Sequence, residues 1–157
     1  MVVSNATLES TANQTSVEEG TLAMDYVEII ETVISSLEED QTAMVSHTDD
    51  HYLWTFKYGS VDVFVMLTGT TDDDILKVWS PVMSLPAKDE PALLRKLMEM
   101  NGNSTFEASF GIVNNQVIVS AARTVAGLSP AEISRNITMV AMIADENDDP
   151  LQAEFGA

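Results

Sequence analysis

The chain has 157 residues and a mass of 17.1 kDa, with 45% hydrophobic residues, no Cys, and 25 Asp plus Glu against seven Lys plus Arg. A domain takes about 100–200 residues, so one domain is expected, and the missing thiols exclude disulfide scaffolds, thiol nucleophiles, Cys-ligated zinc and iron–sulfur clusters. The net charge of −18 repels phosphate backbones and anionic lipid, which argues against direct binding to nucleic acid or membrane.

Residues 1–20 are rich in Ser, Thr, Asn and Gln with no apolar period, and they are expected to form a disordered tail. From about 21 to 39, Leu22, Tyr26, Val27, Ile30, Ile34 and Leu37 recur at helical spacing, which predicts a first helix with a solvated face of Glu28, Glu31, Glu38 and Glu39. The period then falls to two. Val45 and His47 belong to a first strand, and Tyr52, Trp54, Phe56 and Tyr58 share one face of a second. Gly59-Ser60 marks a turn, Val61, Val63, Val65 and Leu67 line a third strand, and residues 75–83 form a fourth. A second helix is expected over 90–100, from Pro91 to Asn101-Gly102, with Leu93, Leu94, Leu97 and Met98 or Met100 as its stripe.

A hairpin follows, with Phe106, Ala108, Phe110 and Ile112 alternating, an Asn114-Asn115 turn, and Val117, Val119 and Ala121 returning. Ser129-Pro130-Ala131-Glu132 is a capping box that starts a third helix, with Ile133, Ile137, Val140 and Ala144 on one face. That helix is expected to fray near Asp145–Asp149, leaving a domain over 21–146 and an acidic tail over 147–157. The order α-β-β-β-β-α-β-β-α describes an α+β two-layer sandwich, an antiparallel sheet with helices on one face. Phe64 and Met66 alternate with the valines of strand three, so the second face is also apolar, and a dimer or a bound partner is expected to cover it, the alternative being that the first helix or the N-terminal tail folds over it.

Chemistry-bearing clusters are few. His47-Thr48-Asp49-Asp50-His51 has a metal-ligand inventory, but reads as a solvated turn. Asp72-Asp73-Asp74 and Asp145–Asp149 lack the Gly and Glu positions of a calcium loop. The seven glycines make no phosphate-binding pattern, and two histidines and three arginines leave little for acid–base work. Asp62 is expected to reach solvent or Lys57 across its hairpin. No catalytic, cofactor or metal residue is assigned. Met44, Met66 and Met83 lie in strands and could line a groove, since Met adapts to irregular partners.

The stretch from Leu76 to Pro86 (LKVWSPVMSLP), the run Leu93–Asn101 (LLRKLMEMN), the Asn114-Asn115 hairpin and Gly127–Glu132 (GLSPAE) resemble the YbjN family of bacterial proteins. That family is similar in fold to type III secretion chaperones of the Tir-chaperone kind. The resemblance spans about 22–145 and rests on structural motifs. It implies a dimerising two-layer domain, in the chaperone branch holding an extended segment of another protein against the sheet and first helix, with no catalytic residues to carry over.

Together these readings describe a non-enzymatic, homodimeric, chaperone-like or regulatory protein-binding module without cofactor, located in the cytoplasm, since no Lys or Arg precedes Lys57 and no long apolar run exists. Its expected partner is a protein or peptide, contacted by Tyr52, Trp54, Phe64, Met66 and Trp79. The alternative is an acidic regulator that engages a basic partner surface through charge.

Overall fold

A computed structural model describes residues 25–49 and 51–157. The tail expected over 1–20, the helix start expected at 21–24 and Asp50 lie outside the described residues. The elements are α1 (Tyr26–Leu37), β1 (Met44–His47), β2 (Tyr52–Tyr58), β3 (Val61–Leu67), β4 (Ile75–Ser84), α2 (Glu90–Asn103), β5 (Ser109–Val113), β6 (Gln116–Thr124) and α3 (Pro130–Phe155). This is the order and the α+β class expected from the sequence. Asp25 caps α1 by accepting the Glu28 amide at 3.1 Å, while its own extended backbone keeps it out of the helix.

All six strands form one antiparallel sheet in the order β1-β2-β3-β4-β6-β5. One of its two-residue hairpins turns at Asn114 and Asn115, whose φ angles of 50° and 59° are the pair that a type I′ turn requires. Each strand alternates between two environments. Trp54 and Phe56, then Val63, Val65 and Leu67, then Leu76 and Val78, then Val117 and Val119 are buried in one cluster with Ile30 and Ile34 of α1, Leu93 and Leu97 of α2, and the inner face of α3. The opposite face carries no described helix.

The third helix departs most from the sequence reading. It continues to Phe155, and the residues expected to be an acidic tail are packed, with Leu151 1% and Phe155 5% exposed. The buried stripe runs Ile133, Ile137, Val140, Ala144, Asp148, Leu151, Phe155, at the three- and four-residue steps of one helix face. Asp148 interrupts the apolar pattern, and Pro150 lies inside the helix among the exposed positions, so the acidic run hides a continuing stripe. The second helix also runs on, past Gly102 to Asn103. Phe106, expected to begin a strand, has φ 54° and is 87% exposed, and the strand starts at Ser109. Only Leu93 and Leu97 of the expected α2 stripe are buried; Leu94 and Met98 face outward, which corrects the reading of Met98 as core.

Polar groups fix the loops. The Asp74 carboxylate accepts from the Thr71 amide at 2.9 Å and hydroxyl at 2.7 Å, and from the Thr68 hydroxyl at 3.0 Å. Hydrogen bonds from the Thr71 side chain, then from its backbone, then from Thr68 hold the Asp74 carboxyl below its ordinary value of 3.8. Lys57 and Asp62 are register partners with an ion pair of 3.9 Å, as expected.

Two outcomes follow. Leu151→Ala should destabilise the protein by about 2–5 kcal/mol in urea unfolding, as a buried leucine does; a loss within about 0.5 kcal/mol is what an unpacked tail would give. Because the folded Asp74 carboxyl titrates below the unfolded one, its contribution is complete above pH 3.8 and disappears as pH falls through the lower folded value. The difference in urea midpoint between the native chain and Asp74→Asn should therefore vanish at the acid end of a pH series.

Candidate open-face interface

The register places Leu53, Thr55 and Lys57 of β2, Asp62, Phe64 and Met66 of β3, Lys77, Trp79 and Pro81 of β4, and Ile118 and Ser120 of β6 on the face opposite the helices. Phe64 and Trp79 are direct neighbours, and their rings stack with centroids 5.3 Å apart and planes 10° from parallel. Pro81 lies beside Ile118, and Leu53 lies beside Met66. Cross-strand aromatic and aliphatic pairs of this kind stabilise a sheet even when one side is open to water. The Lys77 ammonium stands 5.6 Å from the Trp79 ring, a cation–π distance that keeps a charge on the face without separating it from the aromatic surface.

The charge of this face differs from that of the molecule. Of the 25 acids in the chain, Asp62 is the one on the strand positions just named, and it pairs with Lys57. Acids fall mostly in the loops and on α3 instead. An apolar strip with a lysine at its edge thus sits in a strongly acidic body.

The five contact candidates divide between the two faces. Phe64, Met66 and Trp79 are half-buried on the open face. Trp54 is 2% exposed, belongs to the core beneath α1, and donates its indole N–H to Glu31 at 3.2 Å. Tyr52 lies on the same helix-covered side, between the rings of His47 at 3.9 Å and Trp54 at 5.4 Å. Of these two, Trp54 is buried and Tyr52 is half-buried, and the alternation that puts four aromatics on one side of β2 marks its helix-covered side. Ile118 and Pro81 were not singled out from the sequence. Ile118 had a legible signal, since it alternates with Val117 and Val119 and so must face away from them.

Elsewhere, both histidines and Glu38 have structural partners. The His51 ring nitrogen Nδ1 lies 3.1 Å from the Thr48 hydroxyl, and His47 stacks on Tyr52. Glu38 accepts the Ala43 amide at 2.8 Å. Of the three strand methionines, Met44 is 70% exposed on the edge strand, Met66 is on the open face and Met83 is 5% exposed. No helix among the described residues is long and apolar enough to cross a membrane.

No curated protein sequence matches the chain. Among solved structures, a chain in the crystal structure of the ExsC-ExsE complex is similar at 14% identity and a TM-score of 0.48, over 80% of this chain and 96% of that one. The profile of the YbjN family, described as "Putative bacterial sensory transduction regulator", matches residues 26–153, from the first residue of α1 almost to the end of α3. A match over that length makes the chain a member of the YbjN family.

Proposed function

We propose that the protein is a non-enzymatic regulatory module of the cytoplasm that takes up an apolar segment of a partner protein on its open sheet face. The observation that carries this reading is the stacked Phe64–Trp79 pair, continued by Met66 and Leu53, on the side of the sheet without a described helix. Burying such a strip returns about 25 cal/mol for each Å² removed from water, and alternate side chains of an extended segment match the spacing of the strands beneath them.

Charge favours a different protein over a second copy as the occupant. Two copies laid face to face would bring together bodies of −18 each. A segment flanked by basic residues meets the same body favourably. Recognition by charge alone through α1 has less support, because Glu31 and Glu38 are engaged in hydrogen bonds inside the fold. For a homodimer we propose the sheet edge instead. There, the Asn101 side chain already pairs with the backbone N–H and C=O of Phe110, so the open part of β5 is its Ile112–Val113 end, each residue 46% exposed, and the same end of a second copy would meet it about a two-fold axis.

Two experiments test the proposal. Benzoylphenylalanine incorporated at position 64 and activated in living cells should give discrete adducts with a second protein, and the same probe at Glu146 on α3 should not. Equal labelling from both positions would overturn the surface, and adducts with the chain itself would assign the face to a second copy. In light scattering, the native chain should have the mass of a dimer, and the double variant Ile112→Lys, Val113→Lys that of one protomer; an unchanged mass would place the dimer seam elsewhere.

A further inference from the structure

We propose that the cleft at the end of the sheet, beside the open face, is a subsite for a guanidinium or ammonium group, the basic side chain of the segment bound there. This inference rests on the reading of the open face as the binding surface.

Asp148 is the starting point. It is the one charged residue among the buried positions of α3, and it is 4% exposed. Its Oδ2 accepts from the Ser60 hydroxyl at 2.6 Å, but Oδ1 has no hydrogen-bond partner among the described residues. The same Ser60 hydroxyl lies 3.1 Å from Oδ1 of Asp145, which also accepts the Ser60 amide at 2.9 Å. A hydroxyl has a single proton to donate, so two carboxylates converge on one hydroxyl and the Ser60 amide, both neutral donors, with no cation among their hydrogen-bond partners. The turn is shaped for this approach. Gly59 has φ 54°, and a Cβ there would collide with the Asp145 carboxylate.

Asp148 and Ser60 form part of the wall of a cleft of about 760 Å³. Asp62 lies on its rim, the C-terminal residues Gly156 and Ala157 close one side, and Gln152 lines it while donating to the Val82 carbonyl at 2.9 Å. None of its lining residues is Lys or Arg. The C-terminal end of α3 adds the negative end of a helix dipole. A carboxylate withdrawn from water without a full set of partners is costly, and a cation held a few ångström away offsets that cost far better in a cleft than in open solvent. Phe64 and Pro81 line the same cleft and also belong to the open face, so a basic side chain and its apolar neighbours can be seated together.

The probes are N-acetyl-arginine amide and its uncharged isostere N-acetyl-citrulline amide, titrated against the full chain and followed by amide chemical shifts. The arginine probe should give saturable shifts at Ser60, Asp148 and Gln152, at least about tenfold tighter than the citrulline probe, a difference near 1.4 kcal/mol. Asp148→Asn should abolish that preference. Equal shifts from the two probes, no shifts from either, or a preference that survives Asp148→Asn would each overturn the subsite. The comparison of probes on the native chain decides the matter even if the variant does not fold. Such small probes do not cover Phe64 and Trp79, so their failure leaves the open-face reading to its own test, and failure of the cross-linking leaves this cleft to the probes.

Discussion

The packing of one face of α3 against the middle of the sheet is the constraint on which the rest of the structure depends. Ile133, Ile137, Val140, Ala144, Leu151 and Phe155 present a continuous stripe, and the central strands β3, β4 and β6 supply the apolar surface that receives it. With α1 packed beside α3 and α2 against β5, the described helices share one side of the sheet. An antiparallel sheet can leave its other side in water, but it then normally alternates apolar with polar residues. Here the second side keeps Leu53, Phe64, Met66 and Trp79 half-buried, so the fold buries one apolar surface and retains another.

That second surface gives the net charge a different meaning. A charge of −18 on a globular chain keeps copies apart and the molecule soluble. The acids are placed around the strip and leave it almost free of carboxylates, with Lys77 resting on Trp79 at its edge. Charge and apolar area therefore have separate roles: the first governs approach and solubility, the second supplies affinity. The two carboxylates gathered on Ser60 extend this division to the sheet end, where negative charge is buried instead of solvated.

Most of the fold was legible because strong periods were present. The valines of β3 at every second position, the Asn114-Asn115 turn and the Ser129–Glu132 capping box each encode their element locally. Three features were not legible, each for a physical reason. The acidic run after Ala144 reads as a helix end, yet Asp148 is buried because Leu151 and Phe155 beyond it carry the stripe onward. Phe106 continues an apparent alternation but sits in a left-handed turn, since the ladder of β5 begins only at Ser109. The aromatics of β2 look like a contact surface by composition, and register against β3 assigns them to the core while giving Phe64 and Trp79 to the open side.

The two tryptophans provide a direct measure of this division, one in the core and one on the open face. In single-tryptophan variants of the purified protein, Trp54→Phe leaves Trp79 as the reporter and Trp79→Phe leaves Trp54. Acrylamide should quench the fluorescence of Trp79 readily and that of Trp54 very little. Equal shielding of the two would mean that the second face of the sheet is already covered in the free protein, which would contradict the central claim.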